Sequence, residues 1–324
     1  MSRINLEVLL VLGLLLVTAK QSMQMSLRNP TAEIESSNCK VEVLRVGLVL
    51  ASDNNEKALL DSGLFTEDSS VDFVGRKFHV GNLNNTLIVY VKTGTQTVNV
   101  ATAVQTLLNK FNISEIVFFG NAGSLDKTII PGDVVLPKAV AFTGVWEWEA
   151  FRSENKGELV FGGFNYPVNG ENLLGTAAHE NITLYSPSDE PKEVFWLDTS
   201  LPGYKAATEE LTKDLKLKEC HSGRCLPGTS KIIYGSKAST SDFYVKNEAY
   251  GEFLHNEFNA STTDSTSAAV ALTALSNEKP FVVIQGVSNV VGVQGSYPEL
   301  ASQNAFLVAT EFINLLPTQR LACE

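Results

Sequence analysis

The residues best suited to hold a ligand form a short run of small and polar side chains after an apolar segment. The run is Gly120-Asn121-Ala122-Gly123, and the apolar segment covers residues 116–119. Four apolar residues bounded by glycine are typical of a strand that is buried on both faces. We predict a glycine-rich turn here, whose backbone can approach a ligand and whose free N–H groups can face an anion or a sugar. A tight turn that serves only packing fits the same pattern.

The cysteines offer a second kind of chemistry. Cys220 and Cys225 bracket a short loop that begins with His221, and Cys39 and Cys323 lie near the two ends of the mature chain. A Cys-His cluster can bind zinc, but no second pair of ligands stands nearby in the sequence. We therefore predict no metal site and two disulfides, Cys220–Cys225 and Cys39–Cys323, which is one of the three pairings that four cysteines allow.

The N-terminal residues have the features of a signal peptide. Arg3 precedes an apolar run at 8–17, which is followed by small residues. The run is too short for a membrane span, which needs about 20 apolar residues. We predict a signal peptide at 1–19, a polar segment at 20–42 and entry into the secretory pathway. Four N-x-S/T triplets fit this destination as glycosylation sites, and they begin at Asn84, Asn112, Asn181 and Asn259.

Composition narrows the classes of partner. Of the 324 residues, 44% are hydrophobic and 19% are charged, which is typical of a folded globular protein. The net charge of −11 disfavours binding to the phosphate backbone of nucleic acids. After the N-terminal run we find no further apolar segment long enough to span a membrane, so we predict neither a nucleic-acid nor a membrane partner.

Strands and helices alternate along the chain and must position these groups. Asp53 is a candidate cap for the first helix, and 146–202 is an irregular excursion of the kind that forms lids or binding loops. The predicted strands are 43–50, 73–83 paired with 86–92 through an Asn84-Asn85 turn, 116–119, 134–136, 231–234 and 281–286. The predicted helices begin near 53 and cover 98–111, 205–217, 245–258, 267–275 and 302–316. This alternation predicts one α/β domain at 43–324.

Five segments resemble, in order, the nucleoside phosphorylase and nucleosidase superfamily. They are GLVLASDNNEKALL, VKTGTQTVNVATAVQTLL, VFFGNAGSLDKTIIPGDVVLP, DSTSAAVALTAL and PFVVIQGVSN. The resemblance covers residues 45–317, and the central ELVFGG and NLLG pieces are similar to the plant branch. That branch includes the bark and vegetative storage proteins and wound-inducible relatives of poplar, as well as active enzymes. The resemblance implies a three-layer α/β/α fold around a mixed, partly barrel-like sheet, a homo-oligomer and no cofactor.

The resemblance also implies a site that cleaves N-glycosidic bonds. In the family, an Asp in a VSD-like pattern protonates the leaving base, and a Glu in a DMESAAVA-like pattern grips the ribose hydroxyls. In this sequence Asn289 stands in the first position and Thr266 in the second. An amide cannot deliver a proton, and Thr266 carries no charge. We therefore expect an eroded site without catalytic residues.

Other parts of the family's pocket are retained in the sequence. Lys92 and Thr93 begin the match to its anion-binding turn, and Tyr244 matches the aromatic residue that stacks on the base. The candidate substrate-binding residues are Gly94, Thr95, Gly120, Asn121, Ala122, Gly123 and Tyr244. Helix capping is the alternative role for Thr95, and core packing is the alternative for Tyr244. The histidines stand outside the matched motifs and are predicted to be surface or loop residues: His79, His179, His221 and His255.

Two functions follow from these observations. The first is a glycosylated storage protein that serves as a nitrogen reserve, in a vacuole rather than outside the cell. The alternative is a purine or cytokinin-riboside phosphorylase or nucleosidase, with Asn289 on the base and Asp264 or Glu56 as a compensating carboxylate. A pocket that retains a nucleobase without cleaving it is a third possibility. If the pocket functions, its partners are a nucleoside or nucleobase and phosphate.

Overall fold

The structure is a computed structural model that describes residues 39–150, 176–199, 204, 215–226, 228–317 and 319–323. In this part of the chain there are five helices: α1 (Asp53–Asp61), α2 (Thr97–Lys110), α3 (Glu248–Phe258), α4 (Ser267–Ser276) and α5 (Pro298–Asn314). The strands of the same part, in chain order, are β1 (Cys39–Val43), β2 (Val46–Leu50), β3 (Phe65–Phe73), β4 (Arg76–Leu83), β5 (Thr86–Lys92), β6 (Glu115–Ser124), β7 (Val134–Leu136), β8 (Ala139–Phe142), β9 (Trp146–Ala150), β10 (Thr176–His179), β11 (Ile182–Leu184), β12 (Lys192–Val194), β13 (Leu197–Asp198), β14 (Cys220–His221), β15 (Arg224–Cys225), β16 (Ile232–Tyr234), β17 (Lys237–Thr240), β18 (Ala260–Asp264), β19 (Phe281–Val290) and β20 (Gln319–Cys323).

A twelve-stranded mixed sheet forms the centre of the fold. Its main path runs β13-β8-β17-β18-β6-β2-β5-β4-β3, and β19, β7 and β16 branch from β6. Strands β2, β5, β6 and β19 pair in parallel, whereas β18 runs antiparallel to β6. The mixture of directions is the expected fold class.

Helices cover both faces of this sheet because consecutive residues of its central strand point in opposite directions. On β6, Val117 and Phe119 pack in one hydrophobic cluster with α1 and α5. Ile116 and Phe118 pack in a second cluster with α2 and α4. All four side chains are completely buried. The three-layer α/β/α arrangement is therefore confirmed.

The sheet splits along one edge of β6. Strand β19 pairs with β6 from Ile116 to Ser124, so it occupies one edge throughout. On the opposite edge β2 pairs only as far as Phe119, and β18 begins at Gly123. Residues 120–122 therefore have a strand partner on one side only. This gap is where the chain leaves room for a ligand.

The predicted turn at 120–123 is wrong, because these residues continue β6 as an extended strand. Pairing with β19, far away in the sequence, keeps them extended. The glycine at 120 serves a close contact, since a Cβ there would lie 2.7 Å from the Phe118 ring. The strand β3 was not predicted, whereas the β4–β5 hairpin and its Asn84 turn, with φ of 54°, are confirmed.

The cap of the first helix also differs from the prediction. Ser52 caps α1, and Asn55 donates no charge but completes the capping box: the Ser52 hydroxyl accepts from the Asn55 N–H, and the Asn55 side chain accepts from the Ser52 N–H. Asp53 is the first residue of the helix rather than its cap. The helix predicted at 205–217 lies mostly outside the described residues.

The chain divides into two units, of which the larger is 43–319 and the smaller combines 1–42 with 320–324. The described part of the smaller unit is a two-stranded sheet of β1 and β20. Cys39 and Cys323 lie on these strands, but their side chains are outside the described residues, so this disulfide stays a prediction. The predicted signal peptide also lies outside them.

Candidate functional site

A cavity of about 350 Å³ lies at the gap in the sheet. Its walls come from the ends of β2 and β18, the open edge of β6, the end of β19 and the segment before α3. The lining residues are Ala51, Ser52, Asn54, Asn55, Thr95, Asn121, Ala122, Gly123, Phe243, Tyr244, Val245, Lys246, Thr263, Asp264, Ser265, Thr266, Ser288, Asn289 and Pro298. The two aromatic side chains stand at its mouth, where Phe243 is 43% exposed and Tyr244 is 66% exposed.

Asp264 is the one carboxylate among these lining residues, and its oxygens are occupied. Oδ1 accepts from the Thr240 hydroxyl at 2.7 Å and from the Ser267 N–H at 3.1 Å. Oδ2 accepts from Gln285 Nε2 at 3.0 Å and from the Ser267 hydroxyl. The N–H and hydroxyl of Thr266 add two weaker contacts at 3.2 and 3.3 Å. Six donors on one carboxylate hold it as the cap of α4 rather than as a free acid.

The two positions expected to be eroded both lie in the cavity wall. Thr266 is the N-cap residue of α4, is 2% exposed and points its hydroxyl at Asp264. Asn289 stands opposite Gly123 of β6, after an irregularity in the β19–β6 register. Its Oδ1 accepts from the Ser288 hydroxyl at 2.8 Å. Neither side chain can exchange a proton at neutral pH.

A buried amide network forms the floor of the cavity and ties three elements together. Asn55 Nδ2 donates to Ser302 Oγ at 3.0 Å, and Ser302 donates to Asn121 Oδ1 at 2.9 Å. Asn121 Nδ2 then donates to the Pro298 carbonyl at 3.0 Å. The network joins α1, β6 and the start of α5. Both polar atoms of the Asn121 side chain are used within the fold, so a ligand would meet the backbone at this position.

The segment around Thr95 lines the rim of the cavity. Thr95 contacts the Tyr244 hydroxyl at 3.4 Å and does not cap the following helix. The cap of α2 comes from Asp242, which accepts from the Thr97 N–H at 2.7 Å across 145 residues of sequence. Capping as the role of Thr95 is therefore wrong, and so is core packing for the exposed Tyr244. Gly94, with φ of 78°, is left-handed backbone between β5 and this rim.

The other carboxylate proposed to compensate, Glu56, is not among the lining residues. It forms an ion pair with Lys92 at 2.5 Å, and Lys92 also contacts Asp53 at 2.9 Å. Hydrogen bonds to Asp53 and Glu56 raise the pKa of Lys92. Lys92 thus belongs to an ion-pair cluster between α1 and β5 rather than to the cavity.

A family model described as the phosphorylase superfamily matches residues 45–315. The chain belongs to the phosphorylase superfamily. Over 312 residues it is 63% identical to bark storage protein B and to bark storage protein A of Populus deltoides, which covers 94% of this chain and 99% of each relative. A solved 5′-methylthioadenosine/S-adenosylhomocysteine nucleosidase from Colwellia psychrerythraea, in complex with adenine, matches with a TM-score of 0.62 and 20% identity, over 87% of this chain and 99% of that one.

This member of the phosphorylase superfamily has a disulfide between Cys220 and Cys225, as predicted. It closes the hairpin of β14 and β15. Its sulfur atoms are therefore not thiolate ligands. Among the described residues no group of three or more His, Cys, Asp or Glu side chains could hold a metal ion.

The histidines were predicted to lie on the surface or in loops, and this is wrong. They lie on β4, β10, β14 and α3 and are half-buried: His79, His179, His221 and His255. His79 stacks on Tyr90 with ring centroids 4.3 Å apart. His179 packs edge-on against Phe258 at 4.6 Å, and burial lowers its pKa. Tertiary packing, which the local sequence does not reveal, places them in these elements.

The four sequons of this phosphorylase-superfamily chain begin at exposed residues. Asn84 lies in the turn of the β4–β5 hairpin and Asn259 at the C-terminal cap of α3, while Asn112 and Asn181 lie in connections. Each is therefore accessible to a glycosyltransferase. None of the helices in the described residues is long and apolar enough to cross a membrane.

Proposed function

We propose that this protein is a storage protein, a nitrogen reserve on a phosphorylase scaffold whose cavity does not cleave nucleosides. The 63% identity to bark storage proteins A and B supports the storage role. The observation that carries the loss of chemistry is the state of the carboxylates. Asp264 is the one carboxylate of the described cavity lining, and six donors hold it.

Cleavage of an N-glycosidic bond needs two things that this lining does not supply. The leaving base must be protonated, which is the task of a general acid. The sugar becomes oxocarbenium-like, and a carboxylate stabilises its positive charge. An amide at Asn289 and a hydroxyl at Thr266 perform neither task at neutral pH. Glu56 does not compensate, because it pairs with Lys92 outside the cavity.

The expected loss of rate is large. Removal of a general acid costs about 10²–10⁴-fold. Loss of a hydrogen bond to a charged group, about 1.5–3 kcal/mol, costs a further factor of about 10–150. If the two effects act independently, the rate falls by roughly 10³–10⁶-fold. Storage tolerates this loss because a reserve needs solubility, stability and accumulation.

We further propose the cellular setting of a storage glycoprotein. Residues 1–19 act as a signal peptide, residues 43–324 as one phosphorylase-like domain, and the vacuole is the destination. The exposure of all four sequon asparagines supports glycosylation. Assembly into a homo-oligomer and wound-inducible expression are part of the same proposal and rest on resemblance.

The cavity itself is retained, which supports a second element of the proposal. A volume of about 350 Å³ lies within the usual range of ligand pockets, roughly 300–1,000 Å³. The related nucleosidase of similar fold was solved with adenine. We propose that the cavity retains a nucleobase or nucleoside without cleaving it. Gly94, Thr95, Gly120, Ala122, Gly123 and Tyr244 are the proposed binding residues, of which Tyr244 is the stacking candidate.

The test is turnover by the purified protein. Adenosine, inosine, methylthioadenosine and a cytokinin riboside are incubated with and without phosphate, and free base is measured by chromatography. We expect no release of base from a preparation shown to be folded by circular dichroism. Release at ordinary enzyme rates would overturn the proposal and favour the phosphorylase or nucleosidase alternative.

The double variant Thr266→Glu with Asn289→Asp provides the matched experiment. It restores both carboxylates of the family's patterns on an otherwise unchanged scaffold. A gain of hydrolysis or phosphorolysis from near zero is the expected result if the site is an eroded enzyme. A loss of activity already present in the parent would contradict the storage proposal.

A further inference from the structure

The end of β19 carries a pair of side chains that decides which atom faces the cavity. Ser288 is buried, and its Oγ lies 2.8 Å from Asn289 Oδ1 and 3.2 Å from the Ala122 carbonyl oxygen. A hydroxyl has one proton to donate. The shorter contact assigns that proton to Asn289, so the Oδ1 atom of the amide is already occupied.

The other half of the amide is free. Among the described residues no protein acceptor contacts Asn289 Nδ2. The group lies beside Gly123 of β6, where an added Cβ would be 3.5 Å from Nδ2. The absence of a side chain at Gly123 leaves the approach to this donor open. The cavity therefore meets Asn289 as an N–H donor rather than as an acceptor.

We propose that the Ser288–Asn289 pair makes the cavity selective for a ring carbonyl over a ring amino group, so that it binds a 6-oxopurine in preference to adenine. This inference rests on the proposed retention of a nucleobase. A 6-oxopurine presents acceptors at both O6 and N7, which match the Nδ2 donor. Adenine presents an N6 amino donor beside N7, and two donors facing each other both lose their hydrogen bonds.

Ser288 acts here as a positioning residue. Its hydroxyl fixes the orientation of the amide, which otherwise turns by 180° and presents Oδ1. Without that hydroxyl, Asn289 can serve either base, because an amide carries both a donor and an acceptor. Because an amide does not titrate, the selectivity is also constant between pH 5 and 8.

Calorimetric titration of the purified full-length protein with hypoxanthine and with adenine tests the proposal. We expect hypoxanthine to bind at least about tenfold more tightly, the ratio that one mismatched hydrogen bond produces. In Ser288→Ala the ratio falls toward one, a change that a merely structural role would not produce. In Asn289→Asp the order reverses, and binding becomes dependent on pH. The matched control Asn256→Asp, on the exposed face of α3, leaves the ratio unchanged.

Two results would overturn the inference. Equal or tighter binding of adenine by the parent protein would mean that Oδ1 faces the cavity and that the Ser288 proton goes to Ala122. Binding of neither base at millimolar concentration would mean that the cavity does not take a purine ring. Neither result bears on the absence of cleavage, because release of free base in the turnover assay tests that separately.

Discussion

Replacement of Asp264 by Asn tests whether the carboxylate of the cavity is a structural group. The change keeps Oδ1, with its bonds from Thr240 and the Ser267 N–H, and turns Oδ2 into an amide nitrogen. That nitrogen then faces Gln285 Nε2, a donor on a side chain with no exposed surface. The hydroxyl of Ser267 can turn to accept, but the Gln285 amide cannot, so one buried donor loses a partner.

The expected cost follows from this single mismatch. A hydrogen bond to a charged acceptor contributes about 1.5–3 kcal/mol, and a buried donor left without a partner costs about 1–3 kcal/mol. These terms overlap, so we expect Asp264→Asn to lower the free energy of unfolding by about 2–4 kcal/mol. Asp264→Ala, which also removes the acceptor for the α4 cap, should cost at least about 1 kcal/mol more.

Urea unfolding followed by tryptophan fluorescence measures these values. The matched control is Asp242→Asn, because Asp242 also caps a helix but is exposed. Asn caps a helix about as well as Asp does, so this variant should differ from the parent by less than about 0.5 kcal/mol. If Asp264→Asn proves as mild as the control, the six contacts do not hold the carboxylate, and Asp264 becomes available as an acid.

Two further predictions concern stability. Burial lowers the pKa of His179, so the unfolded chain binds more protons below its pKa of about 6.5, and stability falls as the pH drops from 7 to 5. His179→Phe should reduce this slope by up to about 1.4 kcal/mol per pH unit in urea unfolding at several pH values, and an unchanged slope would exclude His179 as its source. A Cβ on Gly286 would lie 2.1 Å from the Ala301 carbonyl oxygen of α5, whereas one on Gly228 meets only the Ile130 side chain at 3.4 Å. Gly286→Ala should therefore cost about 1–3 kcal/mol or more in the same assay, and a loss no larger than that of Gly228→Ala would contradict the close helix–strand contact.

Local patterns in the sequence predict the core elements well. The stripe Val100, Val104 and Leu107 and the apolar run at 134–136 correspond to α2 and β7 as the structure has them. Each pattern records burial on a known period, which depends on near neighbours in sequence. The two eroded positions, Asn289 and Thr266, were also found from motifs, and both lie in the cavity wall.

The features that the sequence did not predict depend on distant partners. Residues 120–123 look like a turn because of their glycines, yet pairing with β19 keeps them extended. Thr95 precedes a helix that Asp242 caps from across the fold. Asp264 looks like a spare carboxylate until its donors from β17, α4 and β19 are brought to it. The chain shows the residue types, but only the tertiary structure shows which bonds they have already made.

The break in strand pairing at 120–122 makes the cavity a property of the backbone rather than of any catalytic side chain. Substitutions can remove the chemistry and leave the void, because closing it would require β2 or β18 to be longer. The polar backbone groups at this edge must be satisfied by solvent or by a bound molecule. A molecule that satisfies them binds the native state alone and raises the melting temperature by mass action. A thermal-shift screen against a small-molecule library can therefore reveal natural ligands of a protein that turns nothing over.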